Sequence, residues 1–116
     1  ISFHLDEALK INPENVSAQI SKGTWHAEIV DKAGFMANIL YGATSEKAKD
    51  HYEIALNLDG ENIGVLYEVS YGLFLLDEKE DLLKAKQLLI KAIEISPNNH
   101  LDKLYIKKSK ELMKML

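Results

Sequence analysis

The chain of 116 residues is long enough for one domain with its own hydrophobic core, and its content of 47% hydrophobic and 28% charged residues is typical of a folded globular protein. It contains no cysteine, which excludes disulfides, thiolate metal sites and a cysteine nucleophile. The formal charge is −4 and every basic residue is lysine, so we expect no nonspecific nucleic-acid binding and no bidentate arginine site for carboxylate or phosphate. Apolar runs such as residues 72–76 are far too short for a membrane span.

The hydrophobic pattern predicts an all-α fold. Apolar residues recur at helical spacing in nearly every segment, and no segment alternates as a strand. Breaks in this pattern divide the chain into six predicted helices, at 2–11, 14–40, 45–58, 61–76, 80–95 and 98–115. Asn12 and Ser96 each precede a proline and are predicted N-caps, as is Thr44 or Ser45. The short links between helices favour antiparallel neighbours.

One helix-end pattern occurs three times along the chain. Each copy has an alanine, then apolar, polar and apolar residues, a capping residue, proline or glycine, and an asparagine shortly after. The three copies lie at 4–15, 51–62 and 88–99. Such a pattern indicates a helix with a small residue at a close helix crossing, followed by a tight turn and the start of the next helix.

This pattern resembles the tetratricopeptide repeat, a helix-turn-helix unit of about 34 residues. Two series of alanine, large apolar residue, alanine and turn residue carry the resemblance, at Ala48, Tyr52, Ala55 and Gly60 and at Ala85, Leu89, Ala92 and Pro97. Gly23 and Ser70 fall where the family has a small residue for close helix contact. The resemblance implies an antiparallel helix-pair solenoid of one domain: the second helix of a truncated repeat at 1–13, repeats at 14–60 and 61–97, and a capping helix at 98–116.

The repeat at 14–60 is longer than the family unit by about 13 residues. The extra residues lie within 31–45, so we expect the first helix of this repeat to run on to Leu40 or Tyr41, with Gly34 as a kink or a close-packing point. The stretch 34–44 is also similar to a bacterial subgroup of these repeat proteins.

The chain carries no common catalytic, metal-binding or nucleotide-binding motif. His26 and Glu28 are two residues apart on a predicted helix and therefore point to different faces. The four histidines are interpreted as ordinary helix residues, the acidic residues at 77–81 as a solvated helix start, and the C-terminal lysines as the polar face of the last helix. We therefore predict no enzymatic activity, no cofactor and no metal.

The best functional candidate is a groove on the first helices of successive repeats, which form the concave surface in the family. The resemblance places nine residues there: Ile20, Thr24, Glu28, Tyr67, Glu68, Tyr71, Phe74, Tyr105 and Lys108. Tyr67, Tyr71 and Phe74 are spaced by four and three residues, so they share one face of a helix in any fold. A stripe of this kind either packs in the core or contacts a ligand, and the sequence leaves both interpretations open.

From these residues we predict a non-catalytic binding or assembly module. Its partner would be a protein or peptide, or a second copy of the chain, held by the aromatic groove or by exposed apolar residues at the ends of the repeat stack. The alternative is an accessory domain that binds a small apolar ligand near the insertion at 31–45.

Overall fold

The computed structural model describes residues 1–116, which form α-helices and no strand, so the predicted all-α fold is confirmed. The helices are α1 (Ser2–Ile11), α2 (Val16–Ala33), α3 (Met36–Tyr41), α4 (Ser45–Asp59), α5 (Ile63–Leu76), α6 (Lys79–Glu94) and α7 (His100–Met113). Five of these seven match predicted helices to within two residues at either end. None of the seven has the length and apolar content that crossing a bilayer requires.

The predicted single helix at 14–40 is wrong, because the chain leaves the helix at Gly34. This glycine has φ 56° and ψ −131°, a conformation that residues with a β-carbon rarely adopt. Its N–H still donates to the carbonyl of Val30, so Gly34 ends α2 rather than bending it. The following residues form the separate short helix α3, which packs against α2 and ends at Gly42 with φ 68°. The segment after Gly34 is therefore an additional helix and not an extension of α2.

Two of the predicted N-caps are also wrong. Asn12 and Ser96 lie four residues before the first residue of the helix that follows each, and the prolines after them lie in the links. The caps are Asn15 and Asn99, whose side-chain oxygens accept the N–H three residues further on, at 3.0 and 2.8 Å. Thr44 is confirmed as the cap of α4, since its hydroxyl accepts an N–H in the same way at 3.1 Å. In the two misplaced cases non-helical residues separate the proline from the helix, and the second asparagine supplies the cap.

The core forms where α2, α4, α5 and α6 pack against one another, with α1 against α2 and α7 against α5 and α6. Alanines with no exposed area mark the places where helix backbones approach closely, namely Ala27, Ala48, Ala55, Ala85 and Ala92. Ser70, which the family pattern places at such a crossing, is also fully buried, and its hydroxyl donates to the carbonyls of Leu66 and Ala85.

Tyr52 joins three helices at the centre of this core. The residue lies on α4 and is 2% exposed, and its ring occupies space that glycines leave open on α2 and on α5. A β-carbon at Gly23 would lie 2.7 Å from the Cε1 atom of the ring, and one at Gly72 would overlap the Tyr52 hydroxyl. The hydroxyl is 2.9 Å from the hydroxyl of Thr24, so the buried polar atom has a hydrogen-bond partner. Gly23 therefore lies at a close helix contact, as its position in the sequence predicts.

Candidate functional site

Three tyrosines from two neighbouring helices form a cluster at the protein surface. Tyr67 and Tyr71 lie one turn apart on α5, and their rings stack with centroids 6.4 Å apart. Tyr105 of α7 lies against Tyr67, with centroids 5.7 Å apart. The Nζ atom of Lys108 is 5.8 Å from the centre of the Tyr67 ring and 5.5 Å from that of Tyr105, which is within the range of a cation–π interaction. We refer to Tyr67, Tyr71 and Tyr105 as the tyrosine cluster.

Local sequence explains why α7 approaches α5 at this point. Gly64 is one turn before Glu68 on α5, and a β-carbon at Gly64 would lie 3.1 Å from the Cε2 atom of Tyr105, so a larger residue would push the ring away. The Tyr105 hydroxyl donates to Glu68 Oε1 at 3.4 Å, which fixes the direction of the ring. Burial, and then the negative charge of Glu68, raise the pKa of Tyr67 and of Tyr105. Both phenols are therefore neutral at pH 7, but because the Tyr105 hydroxyl already donates to Glu68, of the two only Tyr67 can donate a hydrogen bond to a partner.

Two shallow depressions continue from the tyrosine cluster towards α2. The first, of about 480 Å³, is lined by Ile20, Glu68 and Tyr105 among other residues. The second, of about 280 Å³, shares Ile20 and Glu68 with the first and adds Thr24 and Glu28. The two depressions and the tyrosine cluster together form a continuous surface across α2, α5 and α7, which we call the groove.

The structure places seven of the nine predicted site residues in this groove, and Lys108 lies beside it, over the rings of Tyr67 and Tyr105. The ninth, Phe74, is one turn beyond Tyr71 on α5, but it lines neither depression and does not belong to the tyrosine cluster. None of the nine belongs to the buried core. Tyr71 keeps 37% of its area exposed, and Tyr67 and Tyr105 are partly buried, so the aromatic stripe lies at the edge of the core and presents a face to the surface.

Trp25 and Ile1 also line the second depression, beside Thr24, although neither is among the residues predicted for the groove. The Nζ atom of Lys22 lies 4.4 Å from the centre of the Trp25 ring. The spacing of three residues between Lys22 and Trp25 on one helix was the available signal for this contact. Ile1 is 90% exposed, and no local pattern indicates that it lies beside α2.

His26 and His51, predicted to be ordinary helix residues, stack between α2 and α4 with ring centroids 5.8 Å apart. Nδ1 of His26 accepts the N–H of Thr44 at 3.2 Å, and Nδ1 of His51 is 2.7 Å from the side-chain oxygen of Gln19. Burial, and then the charge of Lys22, lower the pKa of His26 to about 4, and the same two causes lower the pKa of His51. Both rings are therefore neutral at pH 7 and join the two helices.

The insertion at 31–45 exposes apolar side chains instead of enclosing a cavity. Four apolar residues of α3 and its N-cap are more than half exposed, namely Phe35, Ile39, Leu40 and Tyr41. The five main depressions of the surface include no residue of 31–45. A small-molecule pocket at the insertion therefore has no counterpart among them.

No model of a known protein family matches this chain, and neither the curated proteins nor the solved structures provide a match. The fold defines the chain as an all-α protein of seven helices. The likeness to tetratricopeptide repeats depends on the residues quoted above and stays a prediction.

Proposed function

We propose that this chain is a non-catalytic helical-repeat module, similar to tetratricopeptide repeats, that binds a protein or peptide partner in the groove. The observation that carries the proposal is the tyrosine cluster with Lys108 beside it, partly exposed and continuous with two depressions that reach α2. Aromatic residues offer large contact areas at a low cost in conformational entropy, and they are common at the centres of protein interfaces.

Contacts between α2 and α4 support the helix-pair arrangement. His26 bonds to the backbone at position 44, whereas Gln19 bonds to His51. The residue numbers rise along α2 as they fall along α4, which is expected of two antiparallel helices joined as one repeat. The pairing of α5 with α6, through Ser70 and Ala85, supports a second unit of the same kind.

The groove favours a peptide with apolar or aromatic side chains and polar backbone groups. The ring faces of Tyr67 and Tyr71 suit apolar contacts, and the Tyr67 hydroxyl suits a hydrogen bond to a backbone carbonyl. Lys108 offers a positive charge at one end of the groove, whereas Glu28 lies in the depression furthest from it. A bound peptide would therefore place an acidic group near Lys108 and a basic group near Glu28.

A peptide library displayed on phage tests this proposal directly. We expect selection on the native protein to enrich related peptides whose binding Tyr71→Ala weakens at least tenfold. The matched control is Ile90→Ala on α6, where the side chain is 44% exposed, close to the 37% of Tyr71. Circular dichroism of both variants would establish that each is folded. Failure to enrich any related set, or equal binding to Tyr71→Ala and Ile90→Ala, would contradict the proposal.

Native mass spectrometry over a range of concentrations identifies the kind of partner. A bare multimer that dissociates on dilution would make a second copy the partner, and the exposed Phe3 and Ile11 of α1 offer apolar area for such self-association. A bare monomer would favour a separate peptide. A monomer that retains a small molecule released by denaturation would instead support the alternative function, a ligand site near 31–45.

A further inference from the structure

The outer face of α7 carries four exposed lysines, which we call the lysine row: Lys103, Lys107, Lys110 and Lys114. Their spacing of four, three and four residues places them along one side of the helix. None of them takes part in an ion pair within the chain. Lys107 follows Tyr105 by two residues, roughly 200° around the helix, so the lysine row lies on a different side of α7 from the groove.

α4 carries the opposite charge at the same spacing. Glu46, Asp50 and Glu53 are exposed and form a second row, the acidic row, which Asn57 continues by one more turn. These three carboxylates also form no ion pair within the chain. The surface therefore presents two rows of opposite sign with matching spacing, and neither row is neutralised by its own chain.

Exposed apolar side chains flank each row. Leu101 and Leu104 lie beside the lysine row, and Ile54 and Leu58 lie beside the acidic row. On both helices the apolar residues are displaced from the charged row by roughly 100°, in the same sense of rotation. When two such helices face each other with antiparallel axes, charge meets opposite charge and apolar meets apolar. Parallel axes would instead set each charged row against apolar side chains.

We propose that two copies of this chain associate head to tail, with α7 of one copy docked antiparallel on α4 of the next. Because the spacings are the same when one helix is reversed, a single register aligns three opposite charges: Lys107 with Glu53, Lys110 with Asp50, and Lys114 with Glu46. The same register brings the leucines of α7 against the apolar residues of α4. Complementary charge of this kind fixes the register and orientation of an interface.

One further pair favours a second copy over a phosphate-bearing surface. Glu111 lies between the lysine row and Leu104, where it would repel phosphate groups of a lipid or a nucleic acid. Lys47 takes the corresponding place on α4, between the acidic row and Ile54. In the proposed register Glu111 and Lys47 lie within one turn of each other, so this exception to the charge pattern on each helix is matched on the other.

The interface is heterologous, because it joins two different faces of the chain. Each copy of a pair keeps one unused face, so further copies add until a ring closes. Exposed ion pairs are individually weak and are screened by salt, so the association is salt-sensitive.

Sedimentation velocity over a range of concentrations tests the proposal. We expect association at about 0.1 M sodium chloride and at least tenfold weaker association at about 1 M, where the Debye length falls from about 10 to about 3 Å. A chain that stays monomeric up to its solubility limit would overturn the proposal, and binding of that monomer to anionic vesicles would assign the lysine row to a lipid surface.

Charge reversal identifies the two faces. We expect Lys107→Glu with Lys110→Glu, and separately Asp50→Lys with Glu53→Lys, each to weaken association at least tenfold, whereas an equal mixture of the two double variants associates again. The matched control is Lys84→Glu with Lys86→Glu, two exposed lysines of α6 outside both rows, which should retain association. Tyr71→Ala should also retain it, so a failure of this interface is distinguishable from a failure of the groove. A folded mixture that stays monomeric would refute the assignment.

Cross-linking of the native chain gives a result that does not depend on any variant. A carbodiimide joins carboxylates to ammonium groups in direct contact. In an equal mixture of ¹⁴N and ¹⁵N chains, we expect cross-linked peptides that connect residues 46–53 of one isotope to residues 107–114 of the other. The absence of such peptides, or cross-links confined to chains of one isotope, would overturn the proposal.

Discussion

The contact of Tyr52 with glycines on two other helices gives a sharp test of the packing. In Gly72→Ala the new β-carbon would overlap the Tyr52 hydroxyl, so the ring must move. Alanine is favoured over glycine within a helix by about 1 kcal/mol, which offsets part of the effect. Overpacking of a core costs about 1–3 kcal/mol, and a displaced ring also loses its hydrogen bond to Thr24, worth about 0.5–1.5 kcal/mol. We expect the free energy of unfolding to fall by about 1–3 kcal/mol.

Urea unfolding followed by far-UV circular dichroism measures this loss. The same substitution is also made in the Tyr52→Phe variant, because the hydroxyl oxygen is the Tyr52 atom closest to a β-carbon at Gly72 and phenylalanine lacks it. We expect Gly72→Ala to cost less in that background, with a coupling of at least about 0.5 kcal/mol. Gly23→Ala is the matched control, since its β-carbon would meet the ring carbons Cε1 and Cδ1, which phenylalanine retains. A neutral or stabilising Gly72→Ala, or an equal cost in both backgrounds, would refute the reasoning.

Three further predictions concern the break after α2, the histidine pair and the buried carboxylate. Gly34→Ala should lower the free energy of unfolding by about 1–3 kcal/mol in urea melts, because the φ of 56° at this position strains a residue with a β-carbon. If α2 continued through Gly34 as a regular helix, alanine would instead be stabilising. Burial, followed by the effect of Lys22, lowers the pKa of His26 to about 4, so the unfolded chain binds more protons between pH 6.5 and 4. The free energy of unfolding should therefore fall by about 2–3 kcal/mol as the pH drops through that window. His26→Gln should flatten this dependence of stability on pH. The control is His100→Gln, at an exposed site, which should leave the dependence unchanged. Lys49→Met leaves Asp81 without its cation and should lower the free energy of unfolding by about 2 kcal/mol. The loss is smaller than for a fully buried pair because Lys49 is 32% exposed. A loss below about 0.5 kcal/mol would show that the ion pair contributes little.

The sequence determined the features that depend on residues close together in the chain. Helical periodicity and turn residues located five helices and narrowed the cap of α4 to Thr44 or Ser45, because capping involves residues only three positions apart; the structure has Thr44. The shared face of Tyr67 and Tyr71 follows from helix geometry alone. The misplaced caps at Asn12 and Ser96 show the limit of such local signals, since two capping residues competed within a few positions.

The tertiary structure decided which distant side chains meet. His26 and His51 stack although they are 25 positions apart in the chain, Tyr105 reaches Glu68 from another helix, and Asp81 is buried although it stands in an acidic run that favoured a solvated surface. These outcomes depend on how far each helix is rotated about its axis and on where it crosses its neighbours. Small residues such as Gly72 set that geometry by allowing close approach, but the sequence does not state which side chain will fill the space. Helices are thus specified by local interactions, whereas the groove arises from packing between helices.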